Sequence, residues 1–136
     1  MNPIVKNILA VVVAIIGGSI ANMALIQTGH ALFPVEGLDP SDIEALTEIM
    51  PTLTFEYFIF PFLAHAIGTL VGAAIAFKMA ANNNMKFAWG IGAWFLLGGI
   101  SVNMMIPGPL WFTVLDIFVA YLPMAWLGAK IVSNKS

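Results

Sequence analysis

The chain has 136 residues, of which 60% are hydrophobic and only 9% charged, and its mean hydropathy is +0.95. That composition excludes an ordinary water-soluble domain and places the chain among integral membrane proteins. No cysteine is present, which excludes disulfides, thiolate metal sites and cysteine nucleophiles, and the few basic residues form no patch for nucleic acid.

At roughly 20 residues per crossing, we read a single membrane domain, residues 1–136, folded as an all-α four-helix bundle. The spans fall at about 4–26, 55–81, 87–106 and 110–132, with an outer loop at 27–54. The first begins just after Pro3, with Lys6 and Asn7 near its start. A cation followed by an apolar run also fits a cleaved signal, but we read a retained span, because its Gly-Gly…Asn-Met pattern recurs in the interior. Ala10, Ala14, Gly18 and Asn22 recur at i+4, a stripe that lets a neighbouring helix approach closely in lipid.

The loop carries Glu36, Asp39, Asp42, Glu44 and Glu48 and no Lys or Arg. Within it, residues 40–50 predict a short amphipathic helix with Ser41 as N-cap, Glu44 completing a capping box and Pro51 beyond its end. Ile43, Leu46, Ile49 and Met50 share one face, which suits the membrane surface or the mouth of the bundle; a solvated connector is the alternative.

The second span has Pro61 near its start and a second small stripe, Ala64, Gly68, Gly72, Ala76 and Ala80, with His65 beside it. A polar turn at 82–86 leads to the third span, which ends at Pro107. Pro107-Gly108-Pro109 turns the chain into the fourth, where Trp111 is an interfacial anchor, Asp116 lies one to two turns in, and Pro123 predicts a kink. Lys6, Lys78, Lys86, Lys130 and Lys135 all fall on one side of this arrangement. The positive-inside rule then makes both termini cytoplasmic and turns the acidic loop outward.

An internal echo links the halves. Gly17-Gly18-Ser19-Ile20-Ala21-Asn22-Met23 matches Gly98-Gly99-Ile100-Ser101-Val102-Asn103-Met104 at four of seven positions. A weaker match of the second span to the fourth sets Ala64-His65 opposite Ala120-Tyr121. Either a duplicated two-helix hairpin or chance recurrence of Gly, Ala and Met accounts for it.

The runs Leu63-Ala64-His65-Ala66-Ile67-Gly68-Thr69-Leu70-Val71-Gly72, Met105-Ile106-Pro107-Gly108-Pro109-Leu110-Trp111-Phe112 and Leu122-Pro123-Met124-Ala125-Trp126-Leu127-Gly128-Ala129 resemble an uncharacterised family of small bacterial four-helix integral membrane proteins. The likeness covers most of the chain, although Pro-His-Pro often stands in such sequences where this one has Pro107-Gly108-Pro109. It implies the fold and a bacterial cytoplasmic (inner) membrane, and no activity.

The candidate ligand-binding residues are Asp116, Asn103, Asn22, His65 and Glu56. An intramembrane carboxylate is costly and is usually paired, protonated or used, and no Lys or Arg lies in the outer half to answer Asp116. It is protonated and bonded to Asn103 or Asn22, paired with His65 or His30, or bound to an external cation or proton; a shallow Asp reaching headgroup water is the bland alternative. The leading expectation is that Asp116 meets Asn103 across the 107–109 turn and floors an outward pocket. His65 is a proton carrier, a metal ligand or, most simply, a hydrogen-bond link between helices. No spacing of His30, His65, Glu56 and Asp116 signals a metal site, Met23, Met50, Met104 and Met105 read as packing rather than a copper site, and no cofactor is expected. Together these residues suggest a non-enzymatic membrane protein that binds a small solute, ion or lipid in an outward-open pocket, with transport by an oligomer as an extension. The alternative is an accessory subunit of a larger membrane complex. The expected partners are the lipid bilayer and a second copy or partner membrane protein.

Overall fold

Proline and asparagine set most of the helix boundaries. In the computed structural model, which describes residues 1–133, Asn2 caps α1 (Pro3–Leu32) by accepting from the Ile4 amide at 2.8 Å, with Pro3 at the first helical position. There its missing N–H costs nothing. α1 runs six residues past the predicted end, to a length of about 45 Å. Its polar last turns stay helical because Thr28 Oγ1 donates to the Ala24 carbonyl at 2.8 Å and Gly29 packs against the Phe60 side chain.

The loop turns through Gly37, whose φ of +76° belongs to the left-handed region that glycine enters without strain. The short helix is confirmed as α2 (Ile43–Ile49), but its N-cap is Asp42, which accepts from the Ala45 amide at 3.1 Å. Ser41 instead gives both its N–H and its hydroxyl to Asp39 Oδ1, at 2.9 and 2.7 Å. These bonds, the backbone one foremost, hold the Asp39 carboxyl below its usual range. The chain then makes 3₁₀ turns at Met50–Thr52 and Phe55–Phe58 before α3 (Ile59–Met79) begins. Pro61 therefore lies in a first turn, where its ring breaks no helical hydrogen bond.

α3 ends at a tight turn in which Asn84 Nδ2 donates to the Phe77 and Ala80 carbonyls, at 2.5 and 3.1 Å, filling the role of a C-cap. Asn83 takes the left-handed conformation, φ 51°, that asparagine tolerates best among residues with a Cβ. α4 (Asn84–Met105) follows, and the last crossing is split into α5 (Leu110–Val119) and α6 (Leu122–Ser133). The break at 120–121 is the kink expected of Pro123: its ring has no N–H to give and would clash with the Val119 carbonyl.

All elements are helical, and the four crossings, Pro3–Leu32, Phe55–Met79, Asn84–Met105 and Leu110–Ser133, are each long and apolar enough to span a membrane. α3 is the hub: it packs along α1 on one side and against α4 and α6 on the other, while α1 and α4 barely touch. Both small-residue stripes are internal. Ala10, Ala14 and Gly18 on α1 are buried, as are Ala64, Gly68, Gly72 and Ala76 on α3. A Cβ on Gly18 would stand 2.7 Å from the Gly68 carbonyl oxygen, and one on Gly72 3.0 Å from that of Ala14. The Asn7 side chain ties the start of α1 to the α3–α4 turn, accepting from the Ala81 amide at 2.7 Å and donating to Asn82 Oδ1 at 3.1 Å. Lys6, Lys78 and Lys86 share that end of the bundle; Lys135 lies outside the described residues.

The glycines divide by what surrounds them. A Cβ on Gly128 would run into the Leu70 backbone carbonyl, whereas one on Gly90 would meet nothing within 4 Å. Gly128→Ala is therefore expected to destabilise the folded protein by about 1–3 kcal/mol, because a backbone cannot step aside as a side chain can. Gly90→Ala should instead stabilise it by about 0.5–1 kcal/mol through the helix. Gly68→Leu should separate α1 from α3 outright. Reversible unfolding in mixed detergent micelles measures all three.

Candidate functional site

The interior polarity gathers where α3, α5 and the α5–α6 break meet. His65 lies two turns into α3 and Asp116 two turns into α5. Asp116 has no exposed surface and is, with Thr69, the only buried polar side chain among the described residues. A carboxylate shut off from water must be answered by donors. His65 Nδ1 lies 2.8 Å from Oδ1 and 3.0 Å from Oδ2, and the Tyr121 hydroxyl donates to Oδ2 at 3.3 Å. The Tyr121 ring stacks on that of His65 with centroids 5.7 Å apart and planes 24° apart.

Two sequence features make this arrangement possible. The helix break releases Tyr121 from a regular helical position and lets its ring enter the bundle, almost fully buried. Gly99 on α4 clears the space: a Cβ there would collide with the Tyr121 hydroxyl. Thr69 bonds back to the His65 carbonyl at 2.7 Å, so its hydroxyl is satisfied within α3.

Asp116 and Asn103 do not pair, contrary to the expectation from the turn between them. Asn103 is occupied locally, its Nδ2 donating to the Gly99 carbonyl at 2.9 Å and its Oδ1 accepting from Thr113 at 3.2 Å. Asp116 stands one turn beyond Thr113 and faces α3, where the pairing with His65, the second of its possible fates, is realised. With Asp116 ionised, Nδ1 carries the ring proton, and Nε2 then accepts if the ring is neutral or donates if it is charged. Nε2 has no hydrogen-bond partner among the described residues and is not among the buried unpaired atoms, so it is accessible.

Two cavities meet at His65. The first, about 270 Å³, lies at the acidic-loop end, walled by Phe33, Tyr57, Phe60 and Phe112 and lined deeper by His65 and Asn103. Glu56 and His30, both exposed, stand at its rim, and Leu46 and Met50 from the α2 region close over it. Its walls are braced by ring contacts: Phe33 lies 6.2 Å from Phe60 and 6.4 Å from Tyr57, and Phe58 4.8 Å from Phe112. The second cavity, about 190 Å³, is the gap between α1 and α4, lined by Asn22, His65, Thr69, Phe95, Gly99 and Tyr121. Asn22 Oδ1 is buried there without a hydrogen-bond partner among the described residues.

Of the residues singled out in the sequence, His65 thus faces both cavities, Asn103 and Glu56 the first and Asn22 the second, while Asp116 lines neither and stands behind His65. No group of three His, Asp or Glu among the described residues is placed to hold a metal ion. Tyr121 is the member of this cluster that sequence reasoning does not single out, although the internal echo sets it opposite His65.

Removing one partner of this cluster should cost more than removing the whole. Asp116→Leu leaves the His65 N–H and the Tyr121 hydroxyl unpaired and is expected to destabilise by about 3–5 kcal/mol, Asp116→Asn by clearly less, since it keeps an acceptor. Adding His65→Leu to Asp116→Leu should recover part of the loss. Tyr121→Phe, which removes one long hydrogen bond, should cost about 1 kcal/mol. The same detergent unfolding assay ranks them.

In comparisons with known proteins, the chain matches no family model, no curated protein and no solved structure.

Proposed function

We propose that this is a membrane protein that binds a small, largely apolar molecule in the cavity at the acidic-loop end, with His65 as the polar contact. The observation that carries this reading is the buried Asp116, which holds His65 by Nδ1 and leaves Nε2 accessible beside an aromatic-walled cavity. A mostly apolar cavity with a few fixed polar groups is the usual form of a small-molecule site. A carboxylate fixing one ring nitrogen so that the other can work is a recurrent way of orienting histidine. What favours a binder over an accessory subunit is the direction of Asp116: it points into the bundle, where a lipid-facing or headgroup-level carboxylate would have suited a passive role. Transport follows only if the second cavity provides the onward step, in one chain or an oligomer.

The lysines and the acidic loop assign the sides. Under the positive-inside rule the loop and the cavity mouth face out and the α3–α4 turn faces the cytoplasm, which for the bacterial membrane suggested by the resemblance means access from the periplasmic or outer side. Exposed Ile8, Val12, Ile16 and Phe118 meet lipid in this reading.

The cysteine-free chain lends itself to a direct test. A small membrane-impermeant methanethiosulfonate applied to intact cells should modify Ser41→Cys and, through the cavity, Asn103→Cys, but not Asn83→Cys. Protection of Asn103→Cys while Ser41→Cys reacts would close the cavity to the outside and overturn the outward-open reading. Modification of Asn83→Cys would invert the topology.

A further inference from the structure

From the polar groups that the two cavities leave unpaired, and resting on the binding reading above, we infer that the ligand is a lipophilic amine bound as its cation, its head between His65 and Asn22. The buried unpaired atom is an acceptor, and a neutral His65 adds a second. Asn22 Oδ1 is a buried acceptor with nothing to accept, and His65, having given Nδ1–H to Asp116, offers Nε2 as a second acceptor. Both belong to one site: Asn22 packs against Gly68, one turn from His65 on α3, and both line the second cavity. An orphaned acceptor at this depth is costly unless the bound molecule brings a donor.

Charge narrows the class. Asp116 is the only buried ionisable carboxyl among the described residues, and no Lys or Arg lies between Lys6 and Lys78 or between Lys86 and Lys130. A bound ammonium would bring a positive charge to a bundle interior whose one buried carboxyl faces no Lys or Arg. Glu56 lines the first cavity, five more carboxylates, Glu36, Asp39, Asp42, Glu44 and Glu48, lie in the loop that contributes to its wall, and a field of that sign attracts cations and repels anions. The aromatic walls Phe33, Tyr57, Phe60 and Phe112 accept an apolar body. His65 and Val102 line both cavities, so the proposed ligand spans the two at these residues, its body in the first and its head in the second.

A near-isosteric series tests this: 2-phenylethylamine, 2-phenylethanol and phenylacetate, titrated calorimetrically into the full chain in nanodiscs, with empty nanodiscs as the blank. The amine should bind about tenfold more tightly than the alcohol, the difference between a charged and a neutral hydrogen bond, and phenylacetate should not bind. Asn22→Leu should weaken the amine by a similar factor, whereas Asn22→Asp, which keeps the oxygen and adds charge, should bind it at least as tightly as the natural chain. Equal binding of amine and alcohol, binding of phenylacetate, or weaker amine binding by Asn22→Asp overturns the amine inference and leaves the cavity reading standing. Should Asn22→Leu fail to fold, the Asn22→Asp result decides alone. Failure of all three compounds to bind, with Asn103→Cys still labelled from outside, overturns the amine inference; with Asn103→Cys protected as well, the cavity reading falls too.

Discussion

A buried carboxylate with no lysine or arginine to meet it is the constraint around which this bundle is built. Asp116 has no exposed surface, and the lysines lie at the far end. What remains to answer it is a histidine from α3 and a tyrosine hydroxyl from the break between α5 and α6. Each demand recruits another. Tyr121 needs an interrupted helix, which Pro123 supplies, and an empty volume on α4, which Gly99 supplies. One costly group thus specifies the relative placement of three crossings, a registry role often attributed to buried polar clusters.

The other organising force is the close approach of backbones. Lipid gives apolar helices little hydrophobic reason to associate, so contact rests on packing, and packing rests on small side chains. α1 and α3 meet through Ala14, Gly18, Gly68 and Gly72 with carbonyls set against glycines. That intimacy has a geometric cost: drawn so close to α3, α1 stands away from α4, and the gap becomes the second cavity with Asn22 at its wall. Gly68 belongs to both, a residue of the seam that also lines the cavity.

Much of this was legible in the sequence. The four crossings, the helix in the acidic loop and the two small-residue stripes follow from hydropathy and i+4 spacing, which are local properties. α1 outruns its expected end at residue 26 because Gln27, Thr28 and His30 have the composition of a loop, while the Thr28 hydroxyl is satisfied by the preceding turn, a bond that residue types do not reveal. The α2 cap moved from Ser41 to Asp42 because Asp39 captured Ser41 first. Among the site residues, His65 and Asp116 both stand out in the sequence, and of the partners it offers Asp116 the structure realises His65 and not the leading one, Asn103. Proximity in sequence favoured Asn103; the rotation of α5 about its axis, which spacing alone does not reveal, decided for α3. Tyr121 lies midway along the expected span 110–132, and residue spacing does not show the helix break that turns it toward Asp116.

The contact between Gly99 and Tyr121 also bears on how such a chain can change over generations. The hydroxyl occupies the place where any side chain at position 99 would begin, so the two positions are not free to vary separately. Any larger residue at 99 evicts Tyr121 from Asp116, and only a lineage that had already shortened residue 121 would accept it without harm. By then Asp116 would rest on His65 alone, and every later change at either residue would be felt more sharply. The order of substitutions, and not merely their sum, determines which descendants of this sequence still fold: the three positions form a single, non-additive unit.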